Sequence, residues 1–515
     1  MAVPLTDPFS SSRLPYRPPA PVPREKPLGT LRLIPVLKRN PIECWARDHF
    51  EKPLVTGGLP VGHVVLVNDP GAIRRVLLEN AANYRKDRLQ RRVLSSGLGE
   101  GLLSAEDDQW RTQRRTVAPL FARRTVTQFA PAMMDAADAL VQRWRCRDGE
   151  TVNITAEMAR LTLDVLERTI FSDGFGCNAE EARLSMVTYF ETVGRIDPLD
   201  LLGLPSWIPR VNHLRVRSTL RFFERAIDEL IATRRRRLAE QRDGVPNDIL
   251  TLLLAAVDPD TGEGLSEAEV RSNVLTFIMA GHETTANLLS WSLFLLSQVD
   301  DWRERVRSEA EREIGQGSVT DLAERLPHTR SVIDEAARLY PPIAAISRVA
   351  IEADTLAGES ITRGTLVVIA PYVLHRHRLL WPEPDVFDPT RFEASRSRID
   401  RFSYLPFGAG PRTCVGSTFA LQEATLVLAT IVKSFAMRLV PSHSVWPLLR
   451  VTLRPAGGLP MVLGWIGGGP EPVPSSLATR ANGSLLSDAP GLFAEPDLRA
   501  AEHESSQEAR QGSGG

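Results

Sequence analysis

The sequence has few cysteines, and their spacing excludes two common roles. Four cysteines occur in 515 residues: Cys44, Cys146, Cys177 and Cys414. No two of them form a Cys-x-x-Cys pair, which argues against a zinc site or a disulfide framework and is typical of a reducing compartment. We therefore predict a cytoplasmic protein.

The chain also lacks a large net charge and an uninterrupted apolar run. A net charge of −1 gives no indication of a nucleic-acid partner. The four arginines Arg234 to Arg237 share a predicted helix with several acidic residues, so we interpret them as a solvated face. The most apolar span, Val274 to Val299, carries polar and charged residues in its middle. That pattern predicts a buried helix rather than a membrane span.

The two ends of the chain lack apolar periodicity. Residues 1–27 are rich in Pro and Ser and have no apolar core of a signal peptide, and residues 467–515 are rich in Gly, Pro, Ser and Glu. We predict that the first segment is disordered or loosely draped over the fold, and that the second is a disordered tail. Residues 28–466 then form one large domain, mainly α with minor β. Short strands are predicted over Pro53 to Gly57, His63 to Asn68 and Thr365 to Ala370.

Capping and breaking residues predict where the helices begin and end. Ser266 and Glu269 form a capping box that starts the longest helix, which should run to about Val299. We expect Asp301 to cap the next helix, and Pro341 to end another at Tyr340. Further helices are predicted to open at Asp107 and to cover Val126 to Cys146, Thr155 to Ile170 and about Leu214 to Arg242.

A glycine-rich loop surrounds Cys414 and runs directly into an apolar helical segment, Ser417 to Phe435. Backbone N–H groups and the positive end of a helix dipole stabilise a thiolate. Gly410 and Gly416 leave room for a flat ligand beside the sulfur, and Arg412 is close enough in sequence to reach an anionic group on it. The alternative is a buried structural cysteine in a Gly/Pro turn.

The loop pattern, Phe-x-x-Gly-x-Arg-x-Cys-x-Gly, resembles the haem-thiolate loop of the cytochrome P450 monooxygenases. In that family the cysteine is the axial iron ligand, and its thiolate favours O–O cleavage. The resemblance implies haem b (iron protoporphyrin IX) bound through Cys414, with Phe407 and Arg412 also in contact with it. It further implies a single haem-thiolate fold, with a long central helix over the haem and the cysteine loop below it.

A polar segment, Ala280 to Thr285, lies midway along the predicted central helix. Gly and β-branched Thr are poor choices for a helix interior, so we expect a break that opens a groove for dioxygen. A polar patch inside a helical bundle is the alternative. A zinc-protease motif is excluded, because Ala286 stands where H-E-x-x-H needs its second histidine. The segment resembles the family's oxygen-activation motif, which implies hydrogen bonding to dioxygen by Thr284 and proton relay by Glu283.

The resemblance extends to residues that support or contact the haem. Glu335 and Arg338 match the family's Glu-x-x-Arg motif and, with Arg391, imply a structural network. Trp110, Arg114, Arg348 and His375 match contacts of the haem propionates, although His377 stands where the family usually has an acid. Arginine is suited to hold carboxylates. For Arg348 and His375, a surface or turn position is the alternative.

The expected activity is insertion of one atom of dioxygen into a lipophilic substrate, by hydroxylation or epoxidation. No flavin or ferredoxin domain fits in the remaining residues, so electrons should come from a separate ferredoxin or flavodoxin-type partner with its NAD(P)H reductase. Alternatives are a peroxide-using or redox-neutral haem-thiolate enzyme, a non-catalytic haem sensor, and a helical scaffold without a cofactor.

Two surfaces are predicted from position alone. By analogy of position, the substrate pocket is expected to be lined by Phe277, Ala280, Ile343, Ala344 and Ile346, with the loop near Leu98 to Leu103. These residues are apolar, which fits a fatty acid, terpenoid or steroid. A basic surface of Arg111, Arg115, Arg123 and Arg124 is expected to attract an acidic redox partner. Ordinary solvation of these arginines is the alternative.

Overall fold

The fold is mainly helical, as predicted. The computed structural model describes residues 15–59, 62–87, 90, 99–172, 211–240, 244–393 and 399–466. Within them the longer helices are α1 Thr30–Arg39, α2 Asp107–Val117, α3 Ala130–Arg145, α4 Ile154–Leu166, α5 Val211–Ala239, α6 Glu267–Gln298, α7 Asp300–Glu313, α8 Pro327–Leu339 and α9 Ser417–Ser434. Shorter helices cover Arg47–Glu51, Pro70–Arg74, Arg123–Val126, Ile249–Ala255 and Pro371–Leu374, and π-helical turns follow at Arg75–Glu79 and Glu167–Phe171.

The central helix α6 begins at the predicted capping box. The Ser266 hydroxyl accepts the Glu269 N–H at 3.3 Å, and the Glu269 carboxylate accepts the Ser266 N–H at 3.0 Å. Most of α6 is buried, and it packs against α4, α8 and α9. The predicted break is wrong, because the helix continues through the polar segment. The Thr284 hydroxyl donates a hydrogen bond to the Ala280 carbonyl oxygen within the helix, so it does not interrupt the helical hydrogen bonds.

The other helix boundaries follow their breaking residues with one exception. Helix α8 ends at Leu339, directly before Tyr340 and the two prolines. Helix α7 begins at Asp300, with Val299 as its N-cap. The prediction that Asp301 caps α7 is therefore wrong. Asp301 lies in the first turn, where a carboxylate interacts favourably with the helix dipole.

The described residues also form four small sheets. Their strands are β1 Leu54–Leu59, β2 Gly62–Val67, β3 Tyr84–Arg85, β4 Thr151–Asn153, β5 Ile346–Ala350, β6 Asp354–Leu356, β7 Glu359–Ile361, β8 Leu366–Ile369, β9 Phe435–Leu439, β10 Pro447–Leu449, β11 Leu453–Pro455 and β12 Pro460–Trp465. The largest sheet has the order β1-β2-β8-β5-β3, with β2 and β8 parallel and Val65 paired with Val367. Strands β4-β12-β9 form a second sheet, and β10-β11 and β6-β7 are hairpins.

Two apolar clusters position the cysteine loop. The larger one surrounds α6 and includes α3, α4 and α9. The smaller one joins the five-stranded sheet to Phe402, Leu405 and Ala409, which lead into the loop. The start of the loop is thus packed on the sheet and its end opens α9. No helix within the described ranges is long and apolar enough to cross a membrane.

Residues 15–27 of the N-terminal segment contact the folded domain. The Tyr16 carbonyl accepts the Phe387 N–H at 3.0 Å, and the Pro19 carbonyl accepts the Tyr340 hydroxyl at 2.7 Å. These backbone contacts hold the segment, and the Tyr16 side chain packs against the larger apolar cluster. Residues 1–14 and the predicted tail, residues 467–515, lie outside the described residues.

Candidate active site

The loop before Cys414 is shaped by close contact with the π-helical turn Arg75–Glu79. Gly410 has φ +73°, and a Cβ there would lie 1.7 Å from the Leu77 carbonyl oxygen. Only glycine satisfies both conditions. The loop then closes on itself, because the Cys414 N–H donates to the Phe407 carbonyl at 2.9 Å. Phe407 is half-buried, and its carbonyl fixes the cysteine just before α9.

The Cys414 thiol faces an internal cavity. Its side chain is accessible to solvent, yet enough protein surrounds it that burial raises the pKa of the thiol. A group that is both accessible and desolvated lies in a concave site. The Gly416 N–H and the Arg114 guanidinium oppose the effect of burial and lower the pKa of the thiol. They are the groups that would stabilise a thiolate ligand.

The middle of the central helix also carries side chains that are not buried. Ala280 is exposed and Thr284 is half-exposed, although most of the residues around them on α6 are buried in the core. Exposure at the middle of a core helix shows that this face borders an internal space. The segment after α8 also exposes two apolar residues, Ile343 (40 %) and Ala345. Ile346 is half-buried at the start of β5.

Two predicted pocket residues belong to the core instead. Ala344 is only 3 % exposed, and its carbonyl accepts the Tyr372 N–H at 3.3 Å, so Ala345 is the exposed alanine of this segment. Phe277 is 8 % exposed and packs edge-on against Phe121, with ring centroids 5.0 Å apart. In an extended segment successive side chains point to opposite sides, which explains why Ala344 is buried and Ala345 is exposed. Leu98, in the predicted pocket loop, lies outside the described residues.

Predicted cofactor contacts meet beside the cysteine loop. On α2, Arg114 donates to the Thr413 carbonyl at 2.9 Å. Trp110, one turn earlier, lies under the Arg412 guanidinium, which is 4.4 Å from the ring centroid. Burial and the nearby Arg412 lower the pKa of Arg348 to about 10. The structure therefore brings Trp110, Arg114, Arg348 and Arg412 together.

Sequence reasoning missed Lys86 and Glu106 in this cluster. Glu106 accepts Arg412 Nη2 at 2.6 Å and lies 3.4 Å from Lys86 Nζ. Burial and Arg412 lower the pKa of Lys86 to about 8. Lys86 lies in no motif, whereas Glu106 directly precedes a predicted helix start and so could have been noticed. The four cations Lys86, Arg114, Arg348 and Arg412 outnumber Glu106, Asp87 and Asp107, the carboxylates that act on Arg348 and Arg412, so the cluster can accept an anionic group.

His375 does not face the cavity, and the predicted propionate contact is wrong. Its Nε2 accepts the Leu405 N–H at 2.8 Å, and its Nδ1 donates to the Arg338 carbonyl at 3.3 Å. The side chain is fully buried. Burial and the neighbouring Arg338 lower the pKa of His375 to about 3. His375 therefore ties the segment before the cysteine loop to α8.

Glu335, Arg338 and Arg391 come together next to His375. Arg338 is fully buried and donates to both Glu335 oxygens, at 2.6 and 2.7 Å. It also donates to the carbonyls of His375, Pro384 and Val386 at 2.7–2.9 Å. Arg391 Nε lies 3.6 Å from Glu335 Oε1. These contacts tie α8 to the segment from His375 to Val386.

The predicted basic surface is largely neutralised by carboxylates. Arg115 binds Asp258 bidentately, at 2.8 and 2.6 Å, and Asp258 is fully buried. Arg111 pairs with Asp108, and Arg123 pairs with Glu324. The expectation that Arg115 belongs to a basic docking surface is wrong, because its guanidinium group is paired with the buried carboxylate of Asp258. It anchors α2 to the loop before α6.

The cavity therefore has a thiol on one side and an excess of cations nearby. This arrangement fits a dianionic cofactor held through sulfur, as in a haem-thiolate protein. The family model for cytochrome P450 matches residues 36–459, and the chain belongs to the cytochrome P450 family. Its cofactor is haem b, and it is a cytochrome P450 monooxygenase.

Characterised relatives and a solved structure agree with this assignment. Cyclooctatin synthase of Streptomyces melanosporofaciens is 32 % identical over 83 % of this chain and 92 % of its own length. Cyclooctat-9-en-7-ol 5-monooxygenase of the same organism is 32 % identical over 83 % and 91 %. Cytokinin hydroxylase of Arabidopsis thaliana is 31 % identical over 81 % and 82 %. The crystal structure of the cytochrome P450DA heme domain covers 88 % of this chain and 99 % of its own, with 25 % identity and a TM-score of 0.74.

Proposed function

We propose that this monooxygenase hydroxylates or epoxidises a small, mainly hydrocarbon substrate. The observation that carries the proposal is the exposure of the apolar residues Ala280, Ile343 and Ala345, which would line the cavity. Apolar walls bind a substrate by removing its hydrocarbon surface from water. The relatives named for cyclooctatin and cyclooctat-9-en-7-ol support this class, since the second name describes an unsaturated cyclic alcohol.

The cofactor would be held by the thiol and the cations described above. Cys414 would ligate the iron, while Arg114, Arg348, Arg412 and Lys86 would neutralise the propionates, with Trp110 alongside. When bound there, the haem supplies the iron centre at which dioxygen is activated. Desolvation of the cations strengthens their interaction with carboxylates. This proposal explains why four cations share one half-buried site.

Thr284 and Glu283 are proposed to deliver protons into the cavity. The Thr284 hydroxyl donates to the Ala280 carbonyl, so its oxygen lone pairs remain available to accept a hydrogen bond from a cavity water. Glu283 is adjacent on α6, and burial raises the pKa of its carboxyl group. A carboxyl group that carries a proton closer to neutral pH is suited to resupply that water.

Electrons are proposed to come from a separate ferredoxin or flavodoxin-type protein and its NAD(P)H reductase. With Arg115 engaged by Asp258, Arg111 by Asp108 and Arg123 by Glu324, the exposed Arg124 is the basic side chain of this set that the ion pairs of the described residues leave for a partner. Exposed charges steer association, and salt weakens this steering. Reduction of the enzyme by such a partner should slow as salt concentration rises.

A ligand screen tests the substrate class. Hydrocarbon alcohols, terpenoids, steroids and fatty acids are titrated into the haem-loaded protein, and the haem absorption band is followed. Ligands that shift the band are then incubated with a redox partner, and their products are identified by mass spectrometry. Ala280→Phe should abolish the shift by filling the cavity, whereas Ala122→Phe, at an exposed position, should not.

The screen also separates the alternatives. Product formation that requires NAD(P)H and dioxygen supports the proposal. Equal yield from hydrogen peroxide alone would instead identify a peroxide-using enzyme. Shifts produced only by polar or charged ligands would contradict the proposed substrate class.

A further inference from the structure

Glu283 and its neighbour Thr284 point in different directions from α6. Successive helical residues are about 100° apart. Thr284 is half-exposed at the cavity, whereas Glu283 is only 9 % exposed. Within the described part of the chain, Glu283 Oε2 is buried and makes no hydrogen bond. A buried carboxyl oxygen without a partner is costly, so what surrounds the other oxygen is important.

The neighbour of Glu283 is the β10–β11 hairpin. Thr452, in the turn of this hairpin, is 2 % exposed and hydrogen-bonds the Glu283 carboxyl group. Asn287, one helical turn after Glu283, donates its side-chain amide to Thr452 Oγ1 at 2.9 Å. The Trp291 indole donates to the Leu453 carbonyl at 3.1 Å. These contacts fix the hairpin on the same face of α6 as Glu283.

The direction of the hydrogen bonds follows from the donor groups. The amide nitrogen of Asn287 can only donate, so Thr452 Oγ1 is the acceptor of that bond. The Thr452 hydrogen is then available to Glu283. Arg454, two residues later and half-exposed, adds a positive charge near the carboxyl group. Both groups favour the carboxylate, and burial opposes them.

We propose that Thr452 and Arg454 are positioning residues, which hold the Glu283 carboxylate on the hairpin side of α6 between successive proton transfers. The proposal rests on the proton-delivery role given to Glu283 above. In each cycle the protonated carboxyl group rotates toward Thr284 and gives its proton to the cavity water. The resulting carboxylate returns to Thr452 and Arg454 and regains a proton from solvent, which reaches the half-exposed Arg454.

Arg454, on the hairpin, is a charged group that interacts electrostatically with Glu283. Thr452 and Asn287 are neutral groups on the same side of α6. Loss of either Thr452 or Arg454 removes an interaction that favours the carboxylate. The pH at which Glu283 loses its proton should therefore rise. A residue that only supports the fold would not shift this titration in a predictable direction.

The test follows the infrared band of the protonated carboxyl group in the haem-loaded enzyme across a pH series. Glu283→Gln identifies the band by its loss. Arg454→Gln and Thr452→Val should move the midpoint of the band to higher pH. The conservative variants Arg454→Lys and Thr452→Ser should restore it. If Thr452→Val does not fold, the half-exposed Arg454 variants supply the same comparison.

Each outcome decides a different point. An unchanged midpoint in Arg454→Gln and Thr452→Val overturns the positioning role. Absence of a Glu283 band at every pH overturns it too, since the group would never carry a proton. If the midpoint shifts as expected but Glu283→Gln forms product from NAD(P)H as efficiently as the wild type, the positioning contacts stand and the proposed proton delivery by Glu283 fails.

Discussion

The Thr284 hydroxyl donates a hydrogen bond to the carbonyl oxygen of Ala280, four residues earlier on α6, at 2.7 Å. This bond keeps the helix continuous through a segment whose composition disfavours helix. The hydroxyl oxygen keeps its lone pairs as acceptors, and Thr284 is half-exposed. Thr285 has the same hydroxyl but is 2 % exposed, so its environment is the core.

Removal of the Thr284 hydroxyl should uncouple the reaction. Thr284→Ala should keep haem content and ligand-induced absorption shifts, because the cavity walls and Cys414 are unchanged. Product formed per NAD(P)H should fall several-fold, and hydrogen peroxide should rise to match. Thr284→Ser should retain most of the coupling. Thr285→Ala is the matched control, and peroxide release from that variant alongside full coupling in Thr284→Ala would assign the role to Thr285.

Lys86 should contribute to retention of the haem. A charge-assisted hydrogen bond contributes about 1.5–3 kcal/mol, so Lys86→Met should speed haem release by roughly tenfold or more. The measurement is transfer of haem to an excess of apomyoglobin. Lys52→Met is the control, because Lys52 is an exposed residue paired with Asp48. Equal release rates in the two variants would remove Lys86 from the cofactor site.

Arg115 should matter for stability more than Arg111. Asp258 is fully buried, and removal of Arg115 leaves its charge without its bidentate partner. Asp108, the partner of Arg111, is exposed and keeps its hydration. The melting temperature should therefore fall in Arg115→Ala and change little in Arg111→Ala. The reverse order would show that the Asp258 pair does not anchor α2.

The stability of the fold should fall at acidic pH partly through His375. Its pKa is lowered to about 3 in the folded protein, whereas an unfolded histidine titrates near 6.5. The unfolded chain therefore binds a proton that the folded protein does not, and stability is lost as pH falls from about 6.5 towards 3. The loss is about 1.4 kcal/mol for each pH unit.

The His375 contribution is isolated by comparison with His375→Gln. Thermal melting is followed from pH 7 downward in both proteins. The melting temperature of the wild type should fall more steeply with pH, because the variant has no imidazole to protonate. Parallel slopes would show that His375 takes up no proton on unfolding.

Local signals in the sequence predicted the features that depend on local chemistry. The Ser266–Glu269 capping box, the end of α8 before Pro341 and strand β8 all follow from residues within one turn or strand. The Cys414 loop is similar, because its glycines, its cysteine and the start of α9 are adjacent in sequence. Such features are determined by neighbours along the chain.

Features that depend on distant contacts were missed or misassigned. Lys86 joins the cation cluster through Glu106 and Arg412, and no local pattern marks it. Arg115 is turned inward by Asp258, 143 residues away. His375 was placed by its position in a motif, but burial between α8 and Leu405 decides its direction. A sequence pattern gives the residue type, whereas the packing decides which way it faces.

The central claim is that Cys414 ligates the haem iron. The absorption spectrum of the reduced, CO-bound protein tests it most directly, because thiolate and imidazole ligands place the main band at different wavelengths. The wild type, Cys44→Ser and Cys146→Ser should show the long-wavelength band of thiolate ligation, and Cys414→His should move it to the imidazole position. Retention of the thiolate band in Cys414→Ser would contradict the account.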